Sequence, residues 1–329
     1  MANHQVSIKK IGVYTSGGDA PGMNAAIRAI VRVGASIGIE TVGIYNGYVG
    51  LLENKLQAIQ VRDVANIIQR GGTILKTGRS LDFHKLEIRK TAAQILKFHG
   101  IDGLICIGGD GSFRGAHALW IEHQIPIVGI PGTIDNDIFG TDLTIGFDTA
   151  VNTALSAIDR IRDTADSHDR VFIVEVMGRN SGFIACHVGL AGGAEDIFTP
   201  DINVTVEKSI ERIKDSIKKG KRSSILITAE GQKPGRAYDL AESIRKKSGI
   251  DAKVCILGHI QRGGSPTAVD RVLASRLGSA AVDTLTKGFC DIMIGTEGSN
   301  LIQVPLELAT TKEKRSPVEL VQLSQILAI

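Results

Sequence analysis

Aromatic side chains make up only 4% of this 329-residue chain, which argues against a surface built for stacking nucleic-acid bases. Charge of one sign is not in excess: 38 Lys and Arg against 35 Asp and Glu leave a formal +3. That balance lacks the basic footprint of a nucleic-acid or anionic-membrane binder, so neither partner is expected. No stretch approaches the roughly 18 uninterrupted apolar residues of a membrane span, and Met1 to Lys10 holds no apolar run of the secretory kind. Cysteine is scarce as well, and Cys106, Cys186, Cys255 and Cys290 stand far apart with no CxxC pair and no ligand-spaced Cys/His cluster. They read as buried thiols in a reducing cytoplasm, and no zinc site is indicated. HExxH and GxxxxGK[ST] are absent too, and Gly109-x-Gly111 stops short of a GxGxxG fingerprint because Arg114 takes the third place. The first absence again leaves a dedicated zinc site without support, and the others weaken P-loop and nicotinamide-dehydrogenase readings.

What is present in quantity is glycine, 38 residues, placed where short β-branched runs end and amphipathic runs begin. That alternation is the mark of an α/β chain, and the length suits about two domains. Lys10 to Thr15, Gly103 to Ile107 and Ile125 to Ile130 read as strands of a buried parallel sheet, with a helix from about Asn24. From Asp148 the spacing Val151, Ala154, Leu155, Ile158, Ile161 predicts a helix capped by Asp148 or Thr149 and separating two halves. Strands follow at Val171 to Met177, Ser224 to Ala229 and Lys253 to Leu257. A helix over about 206–219 stops at Gly220, and another runs to about Leu285 with Pro266 in its first turn. No internal repeat or low-complexity tract interrupts the pattern. The expected architecture is two α/β lobes with a ligand cleft between them.

Two segments carry the chemistry. Gly108-Gly109-Asp110-Gly111-Ser112 follows a buried strand and opens a helix, so its amides could hold a phosphate; a tight αβ turn without ligand is the plainer alternative. Pro131-Gly132-Thr133-Ile134-Asp135-Asn136-Asp137 follows the next apolar run. If extended, it sets Thr133, Asp135 and Asp137 on one face, a hydroxyl and two carboxylates able to divide metal binding and proton acceptance. Asx turns give such strings as well.

Together with Thr15 to Asn24, Met177-Gly178-Arg179 and Gly258 to Gly264, these blocks resemble, in order and spacing, the bacterial ATP-dependent 6-phosphofructokinases. The likeness spans nearly the whole chain, and only the stretch after about Val304 lacks landmarks. It implies two Rossmann-like three-layer αβα lobes with mostly parallel sheets and an active-site cleft between them: residues 1–146 plus about 263–309 for the nucleotide, and 147–262 plus about 310–329 for the sugar phosphate. It also implies a cytoplasmic, Mg²⁺-requiring homotetramer that phosphorylates fructose 6-phosphate at its 1-hydroxyl, the committed step of glycolysis.

By that resemblance Asp135 is the base, with Thr133, Arg79 and Arg179 around the transferring phosphoryl group. Gly18, Tyr48, Ser80, Gly109, Asp110, Gly111 and Ser112 line ATP, with Tyr48 packing on adenine. Asp110 and Asp137 attend Mg²⁺. Arg170, Met177, Gly178, Arg179, Glu230, Lys253, His259 and Arg262 take the sugar phosphate, Arg170 and Lys253 reaching across from a neighbouring subunit. Lys253 departs from the arginine usual there and loses its bidentate fork. Gly111 and Gly132 stand where the pyrophosphate-using branch carries Asp and Lys, which favours ATP. Arg28, Arg32, Arg162, Gly193, Glu195, Lys219 and Lys221 match an effector site for ADP or phosphoenolpyruvate; Ser223 occupies a further position of that site but departs from its usual histidine, and Val61 and Arg62 depart as well. A pyrophosphate-dependent enzyme and a catalytically silent metabolite sensor are the alternatives. NAD and lipid kinases share a Gly-Gly-Asp-Gly loop, yet lack the acidic segment and the His259/Arg262 block.

Overall fold

The computed structural model describes residues 8–168 and 170–328. Among these the strands are β1 (Lys10–Ser16), β2 (Glu40–Ile44), β3 (Leu56–Ala58), β4 (Gly103–Gly108), β5 (Ile127–Pro131), β6 (Val171–Val176), β7 (Asp196–Phe198), β8 (Ser224–Ala229), β9 (Ala252–Ile256), β10 (Ile292–Glu297) and β11 (Asn300–Pro305). The helices are α1 (Met23–Ser36), α2 (Gly47–Leu52), α3 (Leu86–Phe98), α4 (Asp110–His123), α5 (Phe147–His168), α6 (Phe183–Ala191), α7 (Val206–Lys218), α8 (Arg236–Ser248), α9 (Ala268–Thr286), α10 (Leu306–Thr311) and α11 (Val318–Leu327). No described helix is long and apolar enough to cross a membrane.

The chain packs as two units. The first comprises the residues up to Thr133, Ile138–Asp148 and Arg262–Lys314, and the second comprises Ile134–Asp137, Thr149–Gln261 and Arg315–Ile329. The acidic segment thus clusters with the second unit, where the expected division at residue 146 had put it in the first.

In the first unit seven strands run in the order β11-β10-β5-β4-β1-β2-β3, parallel except for the antiparallel edges β11 and β3. The apolar runs of β4 and β5 are continuous because helices cover both faces. Leu104 and Cys106 pack with Phe113 and Ala116 of α4. A Cβ at Gly103 would press on Leu285 of α9, so alternate residues meet the opposite helical layer.

The second unit has a four-stranded parallel sheet, β7-β8-β6-β9. Val171, Ile173 and Leu226 pack there against Ile213, Leu240 and Ile244. Its edge strand β9 leaves Cys255 half-buried, whereas Cys106, Cys186 and Cys290 are buried as expected. The stretch after Val304 divides, α10 joining the first unit and α11 the second. There Ser324 Oγ donates to the Ala194 carbonyl at 2.8 Å and Gln325 Nε2 to Asp196 at 2.9 Å.

Two expected helix starts shift. α5 begins at Phe147, so Asp148 lies in its first turn. Thr267 caps α9, accepting from the Asp270 amide at 3.3 Å, which leaves Pro266 one residue ahead of the cap.

Candidate active site

Strand order directs attention to one edge of each sheet. In the first, β1 lies between β2 and β4, so the chain leaves β1 on opposite sides and the crevice opens at their carboxyl ends, where open α/β sheets bind ligands. Register sets Ser16 beside Gly108 and Gly108 beside Pro131. The three glycine-bearing segments therefore start in one row.

Close approach explains the glycines. A Cβ at Gly108 would lie 2.6 Å from both the Ser16 carbonyl and Ser112 Oγ, while Gly111 has open space around it. Thr15 Oγ1 donates to the Lys76 carbonyl at 2.6 Å and Thr77 Oγ1 to the Gly17 carbonyl at 2.8 Å. These bonds pin the segment that leads to Arg79 and Ser80 against the end of β1. Arg79 is exposed, Ser80 and Gly18 half-buried, and Ser112 buried. Thr133 receives the Thr144 hydroxyl at its carbonyl, 2.6 Å away.

Asp110 occupies the first turn of α4, half-buried and in salt bridge with Arg114 one turn later at 2.8 Å. Burial pushes its carboxyl up from the usual range, and the Arg114 charge pulls the other way. No group of three His, Cys, Asp or Glu suited to a metal occurs among the described residues. A carboxylate at a helix N-terminus fits a magnesium ion that takes most of its oxygens from phosphate and water.

Tyr48 does not have the setting expected of an adenine platform. Its ring is 4% exposed and stacks on Phe83 at 3.8 Å between centroids, so that face is already covered. Arg262, expected on the sugar phosphate, lies in the first unit, donating to the Asp19 carbonyl at 3.2 Å with its guanidinium over Gly18.

The second sheet repeats the topology, with β6 between β8 and β9. Met177, Gly178 and Arg179 follow β6, Glu230 follows β8, and His259 lies in the short 3₁₀ turn after β9. The Glu230 amide bonds to the Val176 carbonyl at 2.8 Å, drawing two of these ends together. Gly178 has φ +141°, and Arg179, exposed, has φ +50°. A left-handed non-glycine residue of this kind marks backbone held by its surroundings.

Ser181 supplies the hold, taking its amide to the Gly178 carbonyl at 2.7 Å and its hydroxyl to the Asp135 carbonyl at 2.7 Å. The segment from Ile134 to Asp137 is a turn, not a strand. Asn136 has φ +50°, so Asp135 is buried while Asp137 is exposed, and the single face expected for them does not form.

Arg170 and Lys253 are not brought to this edge. Arg170 immediately precedes β6, and Lys253 pairs in register with Phe172, both at the amino end of the sheet. Six residues of strand separate Val171 from Met177, about 20 Å at the ordinary rise. Lys253 pairs there with Asp251 at 2.7 Å.

The amino end also gathers part of the expected effector set. Arg162 donates to the carbonyls of Gly192 and Gly193, Lys221 pairs with buried Glu195 at 2.6 Å, and Ser223 donates to Asp166. Lys219 is exposed just beyond α7. Arg28 and Arg32 lie one turn apart on α1 of the first unit, and Val61 and Arg62 are exposed.

Sequence reading missed Arg114, Ser181 and the place of Arg262. Only the first had a local signal, an acid and a base four apart at a helix start.

A family model described as phosphofructokinase matches residues 10–285. The chain is 56% identical over 322 residues to a Thermus thermophilus protein named ATP-dependent 6-phosphofructokinase 1, covering 98% of this chain and 100% of that one. A Natranaerobius thermophilus protein named ATP-dependent 6-phosphofructokinase is 50% identical, with the same coverage. Among solved structures, phosphofructokinase from Saccharomyces cerevisiae superposes with TM-score 0.84 at 38% identity, over 96% of this chain and 46% of that one.

Proposed function

We propose, from the premise that this chain belongs to the phosphofructokinase family, that it transfers the γ-phosphoryl group of ATP to the 1-hydroxyl of fructose 6-phosphate, giving fructose 1,6-bisphosphate and ADP. The observation that carries the reading is the row Ser16, Gly108, Pro131 at the carboxyl ends of β1, β4 and β5. It supports a phosphate-binding floor made of backbone amides.

Phosphoryl transfer depends on positioning and charge neutralisation more than on covalent chemistry. The Gly108–Ser112 amides and the N-terminus of α4 receive phosphate oxygens. Open space around Gly111 leaves room that a larger side chain would fill, which supports ATP over pyrophosphate as donor. Asp110, with Asp137, would hold Mg²⁺, which when bound neutralises charge on the phosphates. Arg79, Arg179 and Thr133 bind and orient the transferring group. Asp135 takes the 1-hydroxyl proton as that oxygen attacks. Its carboxylate is buried and its backbone fixed by Ser181, so it meets the hydroxyl already oriented.

His259, Glu230, Met177, Gly178 and Arg262 serve the sugar phosphate, Arg262 leaving the Asp19 carbonyl to do so. Arg170 and Lys253 complete that set from a neighbouring copy, in line with their place at the opposite end of β6 and β9. The family likeness supports a homotetramer working in the cytoplasm, with ADP or phosphoenolpyruvate acting at the set that includes Arg28 and Arg32 of α1 and Arg162, Gly193, Glu195, Lys219, Lys221 and Ser223 of the second unit.

Initial rates on fructose 6-phosphate with Mg²⁺, comparing ATP with pyrophosphate, test the reading. Turnover with ATP alone is expected. Turnover with pyrophosphate alone overturns the donor assignment, and turnover with neither overturns the activity and moves weight to the silent sensor.

A further inference from the structure

Two buried hydroxyls lie directly beneath the first turn of α4. Tyr14 on β1 is 1% exposed and Tyr48 on α2 is 4% exposed. Their hydroxyl oxygens are 2.8 Å apart, and Tyr48 Oη donates to the Ser112 carbonyl at 2.6 Å. A carbonyl can only accept, so the one proton of Tyr48 goes to Ser112. Tyr14 must then donate to Tyr48, and the chain of bonds has a single direction: Tyr14 to Tyr48 to Ser112. Burial raises both phenols well above their ordinary value, so each stays a donor across the physiological range.

Packing fixes the relay as firmly as hydrogen bonding does. The Tyr48 ring is stacked on Phe83 and tilted against Tyr14 at 5.0 Å. On a third side it lies over Gly115, where any Cβ would come within 2.9 Å of the phenol. Tyr14 is itself held by register between Ile44 and Cys106. The rotation of α4 about its first turn, and with it the aim of the Gly109 to Ser112 amides, is therefore referred to the centre of the sheet.

We propose that Tyr14 and Tyr48 are positioning residues for the nucleotide: the hydroxyl chain sets the Gly108–Ser112 loop, and Tyr48 acts through the Ser112 carbonyl instead of stacking on the base. This rests on the reading of that loop as the ATP site.

The test compares Tyr48→Phe, Tyr14→Phe and the double variant with the wild type in KM for ATP, KM for fructose 6-phosphate, kcat and melting temperature. Each replacement removes one oxygen and leaves the ring, so packing is kept. Tyr48→Phe is expected to raise KM for ATP roughly three- to tenfold, the worth of one buried hydrogen bond, with KM for fructose 6-phosphate unchanged. Tyr14→Phe shifts it less, in the same direction. The double variant matches Tyr48→Phe, because Tyr14 acts only through Tyr48. The ratio of ATP to GTP use stays at its wild-type value.

A lower melting temperature with both KM values unchanged means a structural role only and overturns the proposal. A changed ATP to GTP ratio means that Tyr48 touches the base, and overturns it as well. If Tyr48→Phe does not fold, Tyr14→Phe decides on the same readouts. A wild type inactive with ATP is a different failure, that of the function itself.

Discussion

Asp135 and Asp137 stand two residues apart and meet different surroundings, one buried and one exposed, because Asn136 turns the chain at φ +50°. Asp135 is tied to the loop that carries Arg179, through the Ser181 hydroxyl on its carbonyl. That difference supports the proposed division of labour, with Asp135 as base and Asp137 beside the metal. Asp135→Ser is expected to lower kcat by about 10²- to 10⁴-fold, the usual share of a general base. Binding of fructose 6-phosphate, measured by calorimetry, should persist. Retained turnover would remove Asp135 from the base role. Alternation along the sequence had placed both carboxylates on one face. Nothing in the residue types announced that Asn136 would take a left-handed conformation, which asparagine tolerates but does not require.

At the scale of elements, the junctions after β1 and β4 are where local sequence and three-dimensional demand coincide. Gly108 is glycine for want of space: a side chain would strike the Ser16 carbonyl, which belongs to the sheet and cannot move aside. Gly108→Ala should therefore cost roughly 1–3 kcal/mol of stability, as overpacking generally does. Gly111 has nothing within reach of a Cβ. An acidic residue there sits in the first turn of α4, where negative charge is tolerated. Gly111→Asp is accordingly expected to keep the wild-type melting temperature while losing most turnover with ATP. Equal melting temperatures for both variants would refute the contrast.

The same junctions show why much of the fold was legible in the sequence. β1, β4, β5, β6 and β8 lie within two residues of the apolar runs that predicted them, since strands buried on both faces must be apolar throughout. The starts of α5 and α9 moved because several neighbouring residues can cap, and tertiary bonds choose among them. Asp148, for instance, accepts the Thr267 hydroxyl at 2.6 Å and is drawn inside its own helix. The candidate site was legible where a motif is contiguous. Contacts across long sequence intervals, such as Arg262 on the Asp19 carbonyl and Tyr48 on the Ser112 carbonyl, had no local signature.

For the molecule as a whole, the second sheet separates two groups of candidate sugar-phosphate residues. Met177 to Arg179, Glu230 and His259 sit at its carboxyl end, while Arg170 and Lys253 sit at its amino end, about 20 Å away along β6. A rigid parallel strand cannot bring both groups to one small anion. If all of them serve the same sugar phosphate, the second group must come from another copy, and a closed symmetric oligomer supplies it reciprocally. The consequence can be measured by mixing. Asp135→Ser alone lacks the base, and Arg170→Ala alone deprives each neighbour of a phosphate contact. Unfolded together in equal amounts and refolded, they form some sites with Asp135 from one chain and Arg170 from the next. Random assembly makes these about a quarter of all sites, since each of the two choices is right half the time. Activity at low fructose 6-phosphate should then exceed the sum of the separately refolded variants. Activity equal to that sum would mean that Arg170 does not complete its neighbour's site.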